Sequence, residues 1–357
     1  MIEHFAGRTV NELIPIGAGS VGVGCFFTLS GFLISGILLE SFDARPNAKG
    51  AVWLDFYARR LLRLAPAYYA VIAALVFMGI APVVHSWPWD AAYLTNVHIA
   101  RGATDTVFWS LSVEEQFYLV WPFAIAFMPR RWLPATVLAM MAFSLLFKLG
   151  IILGGFDPGS ATRLLPGNLV LLGAGCLLAV ASYRGGRANC FTWYSGATRR
   201  GFTAAAWTAL ALAVLSWLIF PKEGGLVRYF TNDLLCGTFY SWLVLNCAIG
   251  VGGLWRGVFD SPVLQYVGRI SYGVYLVHNW IPDVVAKYLG PMPKAEAAPI
   301  VLTATFAICI LSWHFFEKPV LRLKRYFWNA PLDRPRTAAP APQDDDSVRI
   351  PKPANAY

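Results

Sequence analysis

Nine separated stretches of about 20 mostly apolar residues constrain this chain more than any other feature. A hydrocarbon core is roughly 30 Å thick and an α-helix rises about 1.5 Å per residue, so each stretch has the length of one bilayer crossing. They fall at 16–39, 64–84, 108–128, 133–154, 164–182, 202–220, 230–252, 271–289 and 298–316. The length of the apolar run identifies them, because a lipid-facing helix is apolar on most sides and carries little periodicity. Turn residues separate most of them, as in Asp43-Ala44-Arg45-Pro46-Asn47, Phe156-Asp157-Pro158-Gly159 and Gly290-Pro291-Met292-Pro293. With 57% hydrophobic and 14% charged residues, the chain lacks the charge to cover a soluble domain of 357 residues. The same numbers exclude a disordered chain and a coiled coil. The sequence predicts an all-α fold: a polytopic integral-membrane helical bundle with nine full transmembrane helices.

The formal charge of +9 invites a nucleic-acid reading, which the placement of the basic residues removes. With 40–63 in the cytoplasm and the sides alternating, 21 of the 29 Lys and Arg fall on the cytoplasmic side. Seven fall outside, and Lys148 lies within a span. Cytoplasmic loops are enriched in Lys and Arg, so the basicity is a topology signal and needs no nucleic-acid partner. It also predicts a cytoplasmic C-terminal tail. From about 328 onward, Pro331, Pro335, Pro340, Pro342 and Asp344-Asp345-Asp346 read as a disordered segment, 328–357. Residues Met1–Phe5 suit the last turn of a further helix, the remnant of a tenth span at the N-terminus. No internal repeat, C-x-x-C pair, Walker loop, Gly-x-Ser-x-Gly elbow or metal-ligand cluster is evident, so no metal site is expected. Cys25, Cys176, Cys236, Cys247 and Cys309 lie in apolar stretches, where Cys serves as a small packing residue.

Ionisable groups inside a bilayer cost about 2.5–3.5 kcal/mol each at a helix centre on insertion scales, so they are where function is sought. Trp109-Ser110-Leu111-Ser112-Val113-Glu114-Glu115-Gln116-Phe117-Tyr118 sets two carboxylates near the outer end of a span. A capping box, with Ser112 capping and Glu115 three residues on, accounts for Glu115 but leaves Glu114 unexplained. Glu114 and Tyr118 are four apart and share a helix face. Arg60 and Arg63 are three apart and also share a face. They either anchor the cytoplasmic end of a helix or form a guanidinium fork for an anionic ligand. His278 falls within the 271–289 span, either as a core histidine bonded to a carbonyl or as a functional group. Trp313 to Pro319, with His314 and Glu317, reads as an interface anchor. The glycines at 17, 19, 22, 24 and 31 read as a close-packing face, and Ser30 beside Gly31 opens a polar notch.

Four blocks occur in order: Gly22-Val23 through Phe26-Phe27 to Ser30-Gly31-Phe32-Leu33-Ile34; Phe56-Tyr57 with Arg59-Arg60, Arg63 and Pro66; Trp109-Ser110-Leu111 with Glu114, Phe117-Tyr118-Leu119 and Trp121-Pro122; and Ile270-Ser271-Tyr272 with Tyr275-Leu276 and His278. Together they resemble the membrane acyltransferase type 3 family over residues 1–327. The resemblance implies transfer of an acyl group, acetyl foremost, from acyl-CoA onto a hydroxyl of a cell-envelope saccharide or glycolipid. It implies acyl-CoA as co-substrate with no bound cofactor, and a place in the lipid bilayer of the inner (plasma) membrane. O-antigen, exopolysaccharide, peptidoglycan and small glycosides are all compatible acceptors. His4 matches the family's first-helix histidine, as general base or transient acyl carrier, with Glu114 orienting it. The arginine of that pattern would fall eleven positions earlier, upstream of Met1. Arg60 and Arg63 would hold the phosphates of acyl-CoA, with Ser30, Trp109, Tyr118 and His278 around the centre. His85 and Asp90 match the His-x4-Asp pattern of soluble glycerolipid acyltransferases, but they lie in a short loop without that fold and are read as incidental. A transporter or flippase for a glycolipid or small metabolite is the alternative; against it stands the lack of a repeat or of matched broken helices.

Overall fold

A computed structural model describes residues 18–104, 106–184, 187–219, 226–250 and 254–323. His4 and the tail 328–357 lie outside the described residues. In chain order the helices are α1 (Ala18–Ala44), α2 (Lys49–Phe77), α3 (Ala81–Ala91), α4 (Thr95–Ala100), α5 (Phe108–Phe127), α6 (Leu133–Leu153), α7 (Pro158–Arg163) and α8 (Leu165–Ala181). They continue as α9 (Gly196–Ile219), α10 (Leu226–Ile249), α11 (Leu254–Phe259), α12 (Pro262–Val277), α13 (Ile281–Leu289), α14 (Lys294–Ser312) and α15 (Lys318–Leu321). No strand occurs among the described residues. Five of these helical segments are long and apolar enough to cross a membrane: α1, α2, α6 (taken from Arg130), α9, and the stretch from α14 through α15. The 20-residue α5 and the 24-residue α10 also have the length.

Two predicted spans are corrected. The apolar run at 64–84 belongs to a helix that starts at Lys49 and ends at Phe77, with α3 following as a separate helix. Lys49, Asp55, Arg59, Arg60 and Arg63 dilute the apolarity of its first half. Several of these charges are met within the protein: Arg45 bonds Asp55 at 2.7 Å, and the Lys49 ammonium donates to the Ala126 carbonyl at 2.8 Å. The span at 271–289 is broken at residues 278–280, between α12 and α13. Pro282, in the first turn of α13, has no N–H to give the His278 carbonyl, so the hydrogen-bond ladder stops there. His278 therefore caps a helix end and does not sit in mid-span. A π-turn at Trp313–Glu317 interrupts the last crossing, where Pro319 cannot donate to the Phe315 carbonyl.

The bundle has two apolar cores. One is built from α1, α5, α6, α8 and α10, around Phe27, Leu38, Phe117, Trp121, Leu172 and Tyr240. The other joins α2, α3, α12, α13 and α14 around Tyr68, Phe108, Ile270, Trp280 and Val301. α5 belongs to both: Phe108 and Leu111 enter the second, and Val113 through Ile125 the first. Glu114 thus lies at the seam.

α1 and α8 touch backbone to backbone. A Cβ on Gly31 would overlap the Leu172 carbonyl, and one on Gly175 the Thr28 carbonyl. Of the predicted glycine face, Gly31 and Gly24 are packed, the latter against the Tyr240 ring, while Gly22 faces open space. Between α6 and α10, Lys148 and Asp233 form an ion pair at 2.5 Å, with the lysine side chain only 2% exposed.

Overpacking a close contact costs about 1–3 kcal/mol. Gly31→Ala and Gly175→Ala are therefore expected to lower thermal stability in detergent clearly, while Gly22→Ala leaves it unchanged. Equal melting temperatures for all three variants would contradict this packing.

Candidate functional site

The site grows from the first half of α5. Phe108 is fully buried between the rings of Tyr68 and Trp280, at 5.3 and 5.4 Å, which draws the helix start back to residue 108. Ser112 is consequently four residues inside the helix, and its hydroxyl bonds back to the Phe108 carbonyl at 3.1 Å. The capping-box reading of Ser112 and Glu115 is thus wrong, and both carboxylates are interior helix residues.

The spacing of α5 puts Glu114 and Tyr118 on one face, and that face meets α1. The Tyr118 hydroxyl donates to Glu114 Oε1 at 2.8 Å, and the Ser30 hydroxyl donates to the same oxygen. One rung further along, Trp121 Nε1 donates to Ser35 Oγ at 2.8 Å. Glu114 and Tyr118 are each 2% exposed. Ser30 reaches Glu114 because Gly31 lets α1 settle into the bundle. Its alternative, a bond to the carbonyl one turn back, is taken up by Thr28 instead, at 3.2 Å.

Glu115 points to α2. Arg60 Nε donates to Glu115 Oε1 at 3.2 Å, and the guanidinium carbon lies 3.1 Å from the centroid of the Tyr118 ring. Tyr118 therefore joins both halves: its hydroxyl holds Glu114 and its face carries Arg60. α2 runs antiparallel to α5, with Lys49 beside Ala126 and Tyr57 beside Leu119. Arg60 is eleven residues beyond Lys49, about 16 Å along the axis, near the middle of a bilayer-length helix. Arg63 diverges from Arg60, exposed and turned toward Glu317. Glu317 is itself buried in the π-turn, accepting from the Ser312 hydroxyl at 2.9 Å. Within the stretch read as an interface anchor, Glu317 is thus a packed group, while Phe315 is exposed.

The remaining predicted residues frame the cluster. Trp109 packs edge-on against Phe27 of α1 at 6.1 Å, under the Arg163 guanidinium at 4.8 Å. His278 Nδ1 bonds the Tyr275 and Val274 carbonyls at 2.7 and 3.2 Å. Tyr275 in turn donates to the Val107 carbonyl at 3.0 Å and pairs with Ser110. His278 is thus tied to the start of α5 through Tyr275. His85 and Asp90 do not pair. Asp90 is held by Ser86 and Thr95 at 2.6 and 2.7 Å, and His85 bonds the Ala81 carbonyl.

Sequence reading missed Ser35 as the acceptor for Trp121, Arg60 as the partner of Glu115, and the amide pair of Gln116 with Asn96, bonded at 2.9 and 3.0 Å. The five-residue spacing of Ser30 and Ser35 was the available signal for the first. Chemically, the cluster offers a dry carboxylate fixed by two hydroxyls and adjoining a guanidinium, able to orient or share the proton of a base brought to it. Among the described residues no group of three or more His, Cys, Asp or Glu could hold a metal ion.

Comparison with known proteins gives a consistent picture. The acyltransferase domain model, type 3, matches residues 2–314. Peptidoglycan O-acetyltransferase OatA of Listeria monocytogenes is 26% identical over 340 residues, covering 85% of this chain and 51% of the relative. O-acetyltransferase OatA of Staphylococcus aureus is 26% identical over 335 residues, covering 85% and 53%. Putative peptidoglycan O-acetyltransferase YrhL of Bacillus subtilis is 26% identical over 337 residues, covering 85% and 50%. The chain spans about half the length of these curated relatives. No solved structure matches it.

Arg60 and Glu115 are half-buried, with side chains 16% and 26% exposed, so removing one partner costs less than the about 3–5 kcal/mol of a fully buried pair. Arg60→Ala should destabilise the protein by about 1–2 kcal/mol, and adding Glu115→Gln should recover much of that loss. Additive effects in this double-mutant cycle would show that the pair does not form.

Proposed function

Because this chain belongs to the membrane acyltransferase type 3 family, we propose that it transfers an acyl group, acetyl foremost, from acyl-CoA to a hydroxyl of a cell-envelope saccharide. The observation that carries the reading is Glu114, a carboxylate buried at the seam of two helical cores and fixed there by Ser30 and Tyr118. A fold gains nothing from placing a carboxylate there, whereas acyl transfer needs a proton acceptor poised beside the acceptor hydroxyl.

In this reading His4 is the general base and Glu114 orients its imidazole. His4 takes the proton of the acceptor hydroxyl as the oxygen attacks the thioester carbonyl. The tetrahedral intermediate collapses with cleavage of the carbon–sulfur bond. The proton returns from His4 to the departing thiolate, giving an ester and free coenzyme A. Arg63, exposed on α2, meets the phosphates of acyl-CoA. Arg60, engaged by Glu115 and Tyr118, keeps the carboxylate pair in place. The names of the curated relatives make a peptidoglycan saccharide the first acceptor to try. In this reading the protein sits in the plasma membrane, and the excess of Lys and Arg in alternate loops supports a cytoplasmic side for residues 328–357.

Membranes carrying the chain are supplied with labelled acetyl-CoA and envelope fractions, and label is followed into alkali-labile esters. Glu114→Gln and His4→Ala are expected to lower transfer at least about 100-fold. His85→Ala should leave it unchanged. Full transfer by Glu114→Gln, or uptake of an envelope precursor without acyl-CoA consumption, would overturn the proposal.

A further inference from the structure

A second feature, an apolar groove edged by two arginines, lies between α9 and α10. The N-terminal end of α9 and the C-terminal end of α10 enclose a groove of about 480 Å³, lined by Arg199, Arg200, Thr203, Trp207, Trp242 and Asn246. We propose that this groove binds the phosphate headgroup of an anionic phospholipid, with the lipid's acyl chains running down the outer face of α9.

Three observations carry the assignment. The first is charge. Arg199 and Arg200 are both exposed, and among the described residues neither forms an ion pair. α9 carries no Asp or Glu, and the one acidic residue of α10, Asp233, is bound to Lys148 thirteen residues from Asn246, about 20 Å along the axis. Among the described residues, the two guanidinium groups at the mouth of the groove therefore have no carboxylate within ion-pair distance. They also sit in the first turns of α9, the end of a helix that disfavours cations. Guanidinium is the side-chain group best suited to phosphate oxygens.

The second is that the walls are fixed before any ligand arrives. Trp242 Nε1 donates to Thr203 Oγ1 at 3.1 Å, and the Asn246 amide donates to the Trp242 carbonyl at 2.8 Å and to the Tyr194 hydroxyl at 3.3 Å. The rings of Trp207, Phe239 and Trp242 pack on one another with centroids 5.5–5.7 Å apart. The volume falls in the range of small-molecule sites, roughly 300–1,000 Å³.

The third is the order of chemistry along the groove. The cationic mouth is followed by a tryptophan collar, with Trp207 52% exposed, and then, on the same side of α9, by the exposed Leu215 and Leu218. Tryptophan collects at the headgroup level of membranes, and basic pockets between transmembrane helices bind anionic headgroups. A free phosphate or a nucleotide would use the mouth alone and leave the continuous apolar track without a role.

The test is native mass spectrometry of the full chain in neutral detergent, titrated with phosphatidylglycerol and with phosphatidylcholine of matched acyl chains. Phosphatidylglycerol is expected to bind at least about tenfold more tightly. The double variant R199Q/R200Q should erase that preference and R199K/R200K should largely keep it. Should the double glutamine variant fail to fold, R199Q and R200Q singly are each expected to weaken the preference several-fold. Equal binding of the two lipids, a preference that survives R199Q/R200Q, or full displacement of phosphatidylglycerol by inorganic phosphate or acetyl-CoA would overturn the proposal.

Discussion

A carboxylate buried in an apolar bundle dictates much of this architecture. Glu114 has to be satisfied where no water reaches it, and its partners set how three helices pack. Tyr118 comes from the same helix, one turn on. Ser30 comes from α1, which approaches only because Gly31 and Gly175 let α1 and α8 meet at their backbones. Arg60 comes from α2 and binds through both Glu115 and the Tyr118 ring. Remove the glycine contact and the serine withdraws; remove the arginine and a second carboxylate is stranded.

Helices with an unbroken apolar length were legible in the sequence: the run at 108–128 became Phe108–Phe127, and 133–154 became Leu133–Leu153. So was the Glu114–Tyr118 face, because four residues make one turn. What failed to show was tertiary. A window that averages hydropathy cannot know that Asp55 answers Arg45 or that Glu115 answers Arg60, so it starts α2 fifteen residues late. It cannot pair Lys148 with Asp233, 85 residues apart, or find Gly175 as the partner of Gly31. The break before Pro282 was marked in the sequence, since proline lacks the donor a continuous helix needs, but nine further residues of apolar run concealed it.

The seam has a functional logic. α5 carries one core on its first turns and the other on its remainder, so polar groups at the changeover sit between two rigid bodies instead of inside one. Hydroxyl, carboxylate and guanidinium side chains from α1, α2 and α5 converge there, and Tyr275 couples the end of α12 to the start of α5. The family relationship agrees with that chemistry, and relatives about twice as long as this chain place such a domain within a larger protein.

The central claim is that His4 and Glu114 act as one unit on the acceptor hydroxyl. Rates of acetyl transfer for His4→Ala, Glu114→Gln and the double variant, measured in the same membranes, test it most directly. Groups that work as a unit lose activity once, so the account predicts a double variant no slower than the worse single variant. Losses that multiply would mean that the two residues act independently, and that Glu114 is buried for some other purpose.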